Sequence, residues 1–218
     1  MNRETRKAKF EGIDLYPVTC ERLSAGRSNL DVLHAVIQGG AKIIQLREKE
    51  VSVKDLYHLA LVFREVTSRA GVLLFINDHL DIAMAVEADG VHLGQDDLPV
   101  AAARRLAPEL LIGASTQSLE EALRAQNDGA DYVNIGPIFP TKTKEGIDEF
   151  LGPDSITAIS SRIQVPFTVM GGINESNIDQ VLAKGARRIA VITAITQAPD
   201  IRETVISLRK RIREYSRF

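Results

Sequence analysis

Cations in this sequence follow short apolar runs at positions where they could converge on one anion. Arg47 and Lys49 come directly after one such run, and Lys144 lies in the longest segment that lacks helical periodicity. Arginine binds phosphate oxygens through a planar fork, and lysine binds them as a mobile point charge. The three cations therefore predict a polyanionic ligand such as a diphosphate. The alternative is that Arg47 and Lys49 pair on the surface with the neighbouring acids Glu48 and Glu50.

Two carboxylates accompany these cations. Asp78 and Asp97 each follow an apolar run, and the two runs are consecutive along the chain. Paired carboxylates beside phosphate-binding cations are typical of a Mg²⁺ site, because this ion keeps several waters and bridges phosphate oxygens. Asp96 is an alternative ligand, and capping of the next helix is an alternative role for Asp78 or Asp97. Acid–base chemistry of the glycosidase kind is the weaker interpretation of the pair.

A glycine pair follows a later apolar run. Gly171 and Gly172 would let backbone N–H groups approach a phosphate, and a helix expected from about Glu175 would add its dipole. A bare glycine pair is a weak motif, but its position in the seventh strand unit matches the place where barrels often bind phosphate.

The histidines and the single cysteine predict little chemistry. The histidines show no metal-ligand spacing, and Cys20 is expected to be buried and inert, with no partner for an intrachain disulfide. His79 follows Asp78 and is a weaker candidate for the site. The four histidines are His34, His58, His79 and His92.

The elements that must position these residues alternate in a regular way. Eight short apolar or β-branched runs, without polar alternation, predict strands that are buried on both faces. They are Leu15–Thr19, Ile43–Leu46, Leu73–Ile76, Gly90–Leu93, Leu111–Gly113, Tyr132–Ile135, Phe167–Met170 and Ile189–Ile192. Between them lie stretches with apolar residues at three- and four-residue spacing, which predict helices over Leu30–Gln38, Val53–Arg69 and Leu119–Asn127.

The fold class follows from this alternation. Strands that alternate with helices form a parallel sheet, either open and doubly wound or closed into a barrel. The first strand lacks the Gly-x-Gly-x-x-Gly turn of a dinucleotide-binding sheet, and eight units in 218 residues suit a compact barrel. We therefore expect an α/β protein with a single-domain (β/α)8 TIM barrel over residues 14–218, preceded by a polar arm or short helix over residues 1–13.

Composition excludes several classes of function. The 27 basic and 29 acidic residues give a net charge of −2, which argues against a strongly basic nucleic-acid binder. Only 5% of the residues are aromatic and none is tryptophan, so base-stacking platforms are not expected. No apolar run approaches the ~18–20 residues of a membrane helix, and the polar start predicts no secretory signal. A cytoplasmic protein without membrane or nucleic-acid partners is expected.

The motifs together resemble those of thiamine phosphate synthase, in order and from about Tyr16 to Ile195. That family folds as a (β/α)8 barrel and joins 4-amino-5-hydroxymethyl-2-methylpyrimidine diphosphate to a thiazole phosphate, giving thiamine phosphate and pyrophosphate. The motifs are Gln45-Leu46-Arg47-Glu48-Lys49, Ile76-Asn77-Asp78, Gly90-Val91-His92-Leu93-Gly94-Gln95-Asp96-Asp97-Leu98, Gly136-Pro137-Ile138-Phe139-Pro140-Thr141 and Gly171-Gly172-Ile173.

The resemblance implies a role for each matching residue. Asp78 and Asp97 would hold Mg²⁺. The pyrimidine diphosphate would be bound by Gln45, Leu46, Arg47, Glu48, Lys49, Asn77, Ser115 and Lys144, of which Arg47, Lys49, Lys144 and Ser115 would be catalytic. The thiazole phosphate would be bound by Thr141, Lys142, Thr143, Gly172, Ile192 and Thr193.

Departures from the family pattern leave some alternatives. Thr193 stands where the family often has serine, Gln117 stands where it often has histidine, and residues 145–150 lack a proline-rich stretch. A thiazole tautomerase of the same superfamily uses a histidine at the place of Gln117 and lacks the paired acids. A non-catalytic barrel that binds phosphate or thiamine is the other alternative, and amphipathic outer helices permit a homodimer.

Overall fold

The structure, a computed structural model, describes residues 1–141, 143 and 149–215. Its eight parallel strands run in the order β1-β8-β7-β6-β5-β4-β3-β2. The bounds are β1 Leu15–Pro17, β2 Ile43–Leu46, β3 Leu73–Asn77, β4 Gly90–Leu93, β5 Leu111–Thr116, β6 Tyr132–Ile135, β7 Phe167–Val169 and β8 Ile189–Val191.

The sheet closes between its first and second strands. Val18 forms a parallel bridge to Gln45 just beyond the end of β1, and the Thr19 N–H donates to the Gln45 carbonyl at 2.9 Å. A parallel sheet of eight strands that returns to its first strand is a TIM barrel, so the predicted fold class is confirmed.

Helices surround the barrel, and several of them begin at side-chain caps. Ser52 accepts from the Asp55 N–H, and Ser118 accepts from the Glu121 N–H. The Glu121 carboxylate in turn accepts from the Gln117 N–H at 2.7 Å, one residue before the cap. In the described residues the helices are α1 Arg3–Glu11, α2 Asn29–Gln38, α3 Val53–Ala70, α4 Leu80–Ala85, α5 Val100–Leu106, α6 Leu119–Asn127, α7 Asp154–Ser160, α8 Ile178–Ala183, α9 Thr193–Thr196 and α10 Ile201–Tyr215.

The barrel interior is filled by aromatic rings that face glycines. A Cβ at Gly90 would lie 2.3 Å from the Phe75 ring, and one at Gly113 would lie 2.1 Å from the Tyr132 ring. Since interiors are packed at crystal-like density, these two positions exclude any side chain. The larger core lies between the sheet and the helices, where the other face of each strand is buried.

Helix α1 covers the amino-terminal end of the barrel. Phe10 stacks within 4.4 Å of the Tyr132 ring centroid and 6.1 Å of the Phe75 centroid, inside the barrel cluster. The segment that the sequence predicted as a polar arm or short helix is therefore a helix with one apolar anchor. Its arginines are not free in solvent, since Arg6 donates to the Glu109 carbonyl at 2.7 Å.

Three aspartates at this end repeat one arrangement. Asp14, Asp89 and Asp131 each precede a strand, and each carboxylate accepts from a strand N–H at 2.8 to 2.9 Å. Each also pairs with arginines of the surrounding helices, so we call them the floor aspartates. The pairs are Asp14 with Arg209 and Arg213, Asp89 with Arg6 and Arg64, and Asp131 with Arg3 and Arg104.

Candidate functional site

A cavity of about 240 Å³ opens at the carboxyl end of the strands. This is the end at which barrel enzymes carry their active sites. Most of the residues predicted for the site line this cavity: Gln45, Arg47, Lys49, Asn77, Asp78, Asp97, Ser115, Thr141, Thr143, Gly172, Ile192 and Thr193.

Asp78 lies in a strained turn at the end of β3. Its φ is +62°, and the His79 N–H donates to the Asn77 carbonyl at 2.7 Å across it. A γ-turn with a positive central φ is rare and strained for a residue with a side chain. The Asp78 N–H is held by the His92 carbonyl of β4 at 2.8 Å, so the neighbouring strand maintains the turn.

Asp97 reaches the same place from the loop after β4. Its Oδ2 accepts from the Gly94 N–H at 2.6 Å. Burial raises the pKa of Asp97, and the carboxyl and negative charge of Asp78 raise it further, while Lys49 opposes the shift. The two acids therefore face each other, as the sequence predicted from their consecutive strands. Neither caps a helix, because α4 and α5 follow His79 and Pro99, and neither helix has a side-chain cap.

The cations belong to the cavity and not to the rim. The Lys49 ammonium contacts the Asp78 carboxylate. Glu50 pairs instead with Arg22 at 3.0 Å, so the alternative surface pairing of Lys49 is not observed. Arg47, which lines the cavity, has its backbone N–H fixed by the Thr19 hydroxyl at 2.9 Å.

Among the described residues of the predicted binding set, two do not line the cavity. Leu46 is buried in the core between sheet and helices. Glu48 accepts from the Glu21 N–H at 2.9 Å, and burial raises its pKa. Because side chains alternate along a strand, Gln45 and Arg47 face inward while Leu46 and Glu48 face outward. Only main-chain groups of Leu46 and Glu48 are left to meet a ligand.

The glycine pair is packed against the loop that follows β6. Gly171 and Gly172 have φ of +104° and +64°, and a Cβ at Gly172 would lie 2.4 Å from the Pro140 carbonyl oxygen. The Phe139 N–H donates to the Gly171 carbonyl at 3.0 Å. The pair therefore holds the start of the loop that carries Thr141 and Thr143.

The helix after this pair begins later than the sequence predicted. It starts at Ile178 and not near Glu175. Asn174 folds the intervening residues into a turn, since its Oδ1 accepts from the Ser176 N–H at 2.9 Å. The Asn177 amide donates to the Gly172 carbonyl at 2.9 Å, which ties the turn back to the glycine pair.

Lys142 and Lys144 lie outside the described residues, so the third predicted cation stays a prediction. Of the remaining candidates, Asp96 lines the cavity with an exposed carboxylate, and Gln117 also lines it. Cys20 is buried, as expected. Over the described residues, no group of three or more His, Cys, Asp or Glu is arranged to hold a metal, and no helix is long and apolar enough to cross a membrane.

His92 is the main site residue that sequence reasoning missed. The residue is 7% exposed and lines the base of the cavity, with Nε2 2.9 Å from the Ser115 hydroxyl. Asn134 of β6 was missed as well, and its Oδ1 accepts from the Thr168 hydroxyl at 2.8 Å. The available signal was strand alternation, because a polar residue on the inward face of a barrel strand must meet other inward side chains.

Comparisons with known proteins identify the family. The family model for thiamine monophosphate synthase matches residues 15–195. A thiamine-phosphate synthase of Chloroflexus aurantiacus is 47% identical over 195 residues, which cover 89% of this chain and 90% of that protein. One of Caldicellulosiruptor bescii is 40% identical over 218 residues and covers 100% of both chains.

A solved structure is similar throughout. Thiamine phosphate pyrophosphorylase from Pyrococcus furiosus superposes with a TM-score of 0.87 at 37% identity, covering 96% of this chain and 98% of that one. The chain therefore belongs to the thiamine monophosphate synthase family, whose members are transferases.

Proposed function

We propose that this chain is a thiamine-phosphate synthase. It joins 4-amino-5-hydroxymethyl-2-methylpyrimidine diphosphate to 4-methyl-5-(2-phosphoethyl)thiazole, or to the carboxylated form of this thiazole, and releases pyrophosphate. The observation that supports this most is the contact between Lys49 and Asp78 beside Asp97, in the cavity that Arg47 also lines. A tautomerase has no need of this combination of charges.

The diphosphate would lie on the side of the cavity formed by β2 to β5. Arg47 and Lys49 would bind its oxygens from β2, with Lys144 as a third cation, and Asn77 and Ser115 would bind from β3 and β5. The thiazole phosphate would lie opposite, against Thr141, Thr143, Gly172, Ile192 and Thr193, with Lys142 nearby. The two substrates would then meet over the barrel axis, which orients their reacting atoms.

Mg²⁺ fits the donor set. Asp78 and Asp97 face each other closely enough to raise the pKa of Asp97, and a divalent cation would remove that repulsion. Mg²⁺ is held in many phosphate sites by one or two carboxylates together with waters and phosphate oxygens. When bound, it would neutralise charge on the departing pyrophosphate. Asp78 and Asp97 would hold it, and Lys49 would shift from Asp78 toward the diphosphate.

The residues of the chain would act mainly through charge and position. The C–O bond between the pyrimidine methylene and the diphosphate breaks, and its electron pair leaves with pyrophosphate, which Arg47 and Lys49 stabilise. The 4-amino group of the pyrimidine supports the methylene cation, and the lone pair of the thiazole nitrogen forms the new C–N bond. Such loose transition states need little covalent work from the protein. The loop between β6 and α7 would exclude water from the cation.

The partners and location belong to the same proposal. Both substrates are phosphorylated small molecules, which supports a cytoplasmic location, and a homodimer remains a prediction that gel filtration with light scattering would test. No described feature favours a nucleic-acid or membrane partner.

The first experiment is a turnover assay with a matched pair of variants. Purified protein, both substrates and Mg²⁺ should give thiamine phosphate, detected as fluorescent thiochrome, and EDTA should abolish the product. Asp97→Asn should lose activity by at least about a hundredfold, whereas Asp96→Asn, one residue away on the same loop, should retain most of it. A folded protein without product would refute the proposal, and equal losses in both variants would refute the assignment of Asp97.

A further inference from the structure

A chain of hydrogen-bonded polar side chains crosses the barrel at the base of the cavity. The Gln45 amide nitrogen donates to the Tyr16 hydroxyl at 3.0 Å, and this hydroxyl lies 3.1 Å from that of Tyr132. The Tyr132 hydroxyl lies 2.9 Å from Nδ1 of His92, and His92 Nε2 lies 2.9 Å from the Ser115 hydroxyl. The first four residues are at most 7% exposed and Ser115 is half-buried, and of the five Gln45, His92 and Ser115 line the cavity.

Gln45 sets the donor-to-acceptor direction along this series of hydrogen bonds. A phenol donates one hydrogen, so Tyr16, which accepts from Gln45, has its own hydrogen for Tyr132. Tyr132 in turn donates to Nδ1 of His92, which must be the unprotonated nitrogen of a neutral ring. The remaining hydrogen of the ring is then on Nε2 and is donated to the Ser115 oxygen.

The surroundings keep the imidazole neutral. His92 is 7% exposed, and its two ring nitrogens contact the uncharged hydroxyls of Tyr132 and Ser115. Tyr132 packs against the ring with centroids 5.7 Å apart, and burial raises the pKa of this tyrosine, so it stays protonated. A neutral ring has one donor and one acceptor, as the chain requires.

We propose that His92 is a positioning residue that makes Ser115 a hydrogen-bond donor into the cavity. Because the Ser115 oxygen accepts from His92, the serine hydrogen is left to point toward the ligand. The Ser115 carbonyl accepts from the Gln95 amide at 2.6 Å, which holds the residue from its other side. This inference rests on the proposed function, in which an anionic oxygen of the diphosphate gains charge as the C–O bond breaks. A donor aimed at that oxygen stabilises the transition state more than the ground state.

The tautomer gives a test that does not depend on turnover. In ¹⁵N-labelled wild-type protein, two-bond ¹H–¹⁵N correlation spectra distinguish Nε2–H from Nδ1–H, and His92→Gln identifies the resonance. We expect a neutral Nε2–H ring at pH 7. An Nδ1–H ring would reverse the chain and overturn the inference even in an active enzyme. Absence of turnover in the wild type would instead refute the proposed function.

A double-mutant cycle tests whether His92 acts through Ser115. His92→Phe keeps the ring shape and removes both nitrogens, and it should lower kcat about tenfold with little change in KM. In a Ser115→Ala background the same substitution should have no further effect on kcat. An undiminished effect there would show that His92 acts by another route and would refute the inference.

A second variant covers the case in which His92→Phe does not fold. Tyr132→Phe removes only the hydroxyl that bonds Nδ1 and retains the ring that packs in the barrel. We expect it to lower kcat by a smaller factor and to release the ring from the single Nε2–H tautomer. A wild-type spectrum in this variant would contradict the proposed chain.

Discussion

The buried imidazole of His92 should make the protein less stable in mild acid. Burial lowers its pKa from 6.5 to about 4. Below pH 6.5 His92 binds a proton in the unfolded chain but stays neutral in the folded protein. The free energy of unfolding therefore falls as the pH falls, until the folded ring also titrates near pH 4. A shift of this size corresponds to a loss of about 3 kcal/mol across that window. Tyr132 and Ser115, which contact the ring, are uncharged, and the negative charge of Asp97 offsets only part of the effect of burial on the His92 pKa.

The measurement is the difference between wild type and His92→Gln in urea unfolding, at several pH values from 4 to 8 and without Mg²⁺. The variant lacks the titrating group, so the stability of the wild type relative to the variant should fall by about 3 kcal/mol as the pH drops from 6.5 to 4. Other acids titrate in both proteins and largely cancel in the difference. His34→Gln is the matched control, since this histidine of α2 is exposed, and it should track the wild type. A difference between wild type and His92→Gln that does not change with pH would refute the reasoning.

Three further substitutions test other parts of the structure. Asp97→Asn should raise the midpoint of thermal unfolding, because it removes one of two facing carboxylates. It should also abolish the rise in this midpoint that Mg²⁺ causes. A lower midpoint in scanning fluorimetry would contradict repulsion between the two carboxylates. Gly172→Ala should lower the free energy of unfolding in urea by at least about 1–2 kcal/mol, because of the positive φ alone. It should also raise KM for the thiazole phosphate, because Pro140 must move. An unchanged KM would show that Gly172 does not shape the thiazole phosphate site. Asp131→Ala should lower the free energy of unfolding by about 3–5 kcal/mol, because its arginine partners lose a buried counter-charge, and kcat of the folded fraction should not change. A loss below about 1 kcal/mol would show that the ion pairs of the floor aspartates contribute little to stability.

The barrel could be predicted from the sequence because its strands are buried on both faces. Such strands are mostly apolar on both faces, and the helices between them keep their own period. The bounds were less accurate at the carboxyl ends. The run at Leu111 was predicted to end at Gly113, whereas β5 continues to Thr116, because polar Ser115 pairs with Asn134 of the next strand. A polar residue inside a strand has no local signal when its partners lie elsewhere in the chain.

The charged part of the site was predictable for a related reason. Arg47 and Asp78 follow their strands directly and Asp97 lies in the loop after β4, so their place at the barrel mouth requires only the strand order. The series of hydrogen bonds from Gln45 to Ser115 was not predictable, because it depends on which side chains face inward and how their hydrogens are arranged. The strained turn at Asp78 was also hidden, since aspartate tolerates a positive φ without any sequence marker.

Carboxylates at the two ends of the barrel have opposite electrostatic surroundings, and this difference bears on function. At the floor, Asp131 has arginine partners and a strand N–H, so its charge is compensated within the chain. At the mouth, Asp97 faces Asp78, and Lys49 is the cation in contact with the pair. The mouth therefore holds negative charge that a divalent cation would neutralise on binding. Since binding to the folded state alone stabilises it by mass action, Mg²⁺ with pyrophosphate should raise the unfolding temperature more than either ligand does separately.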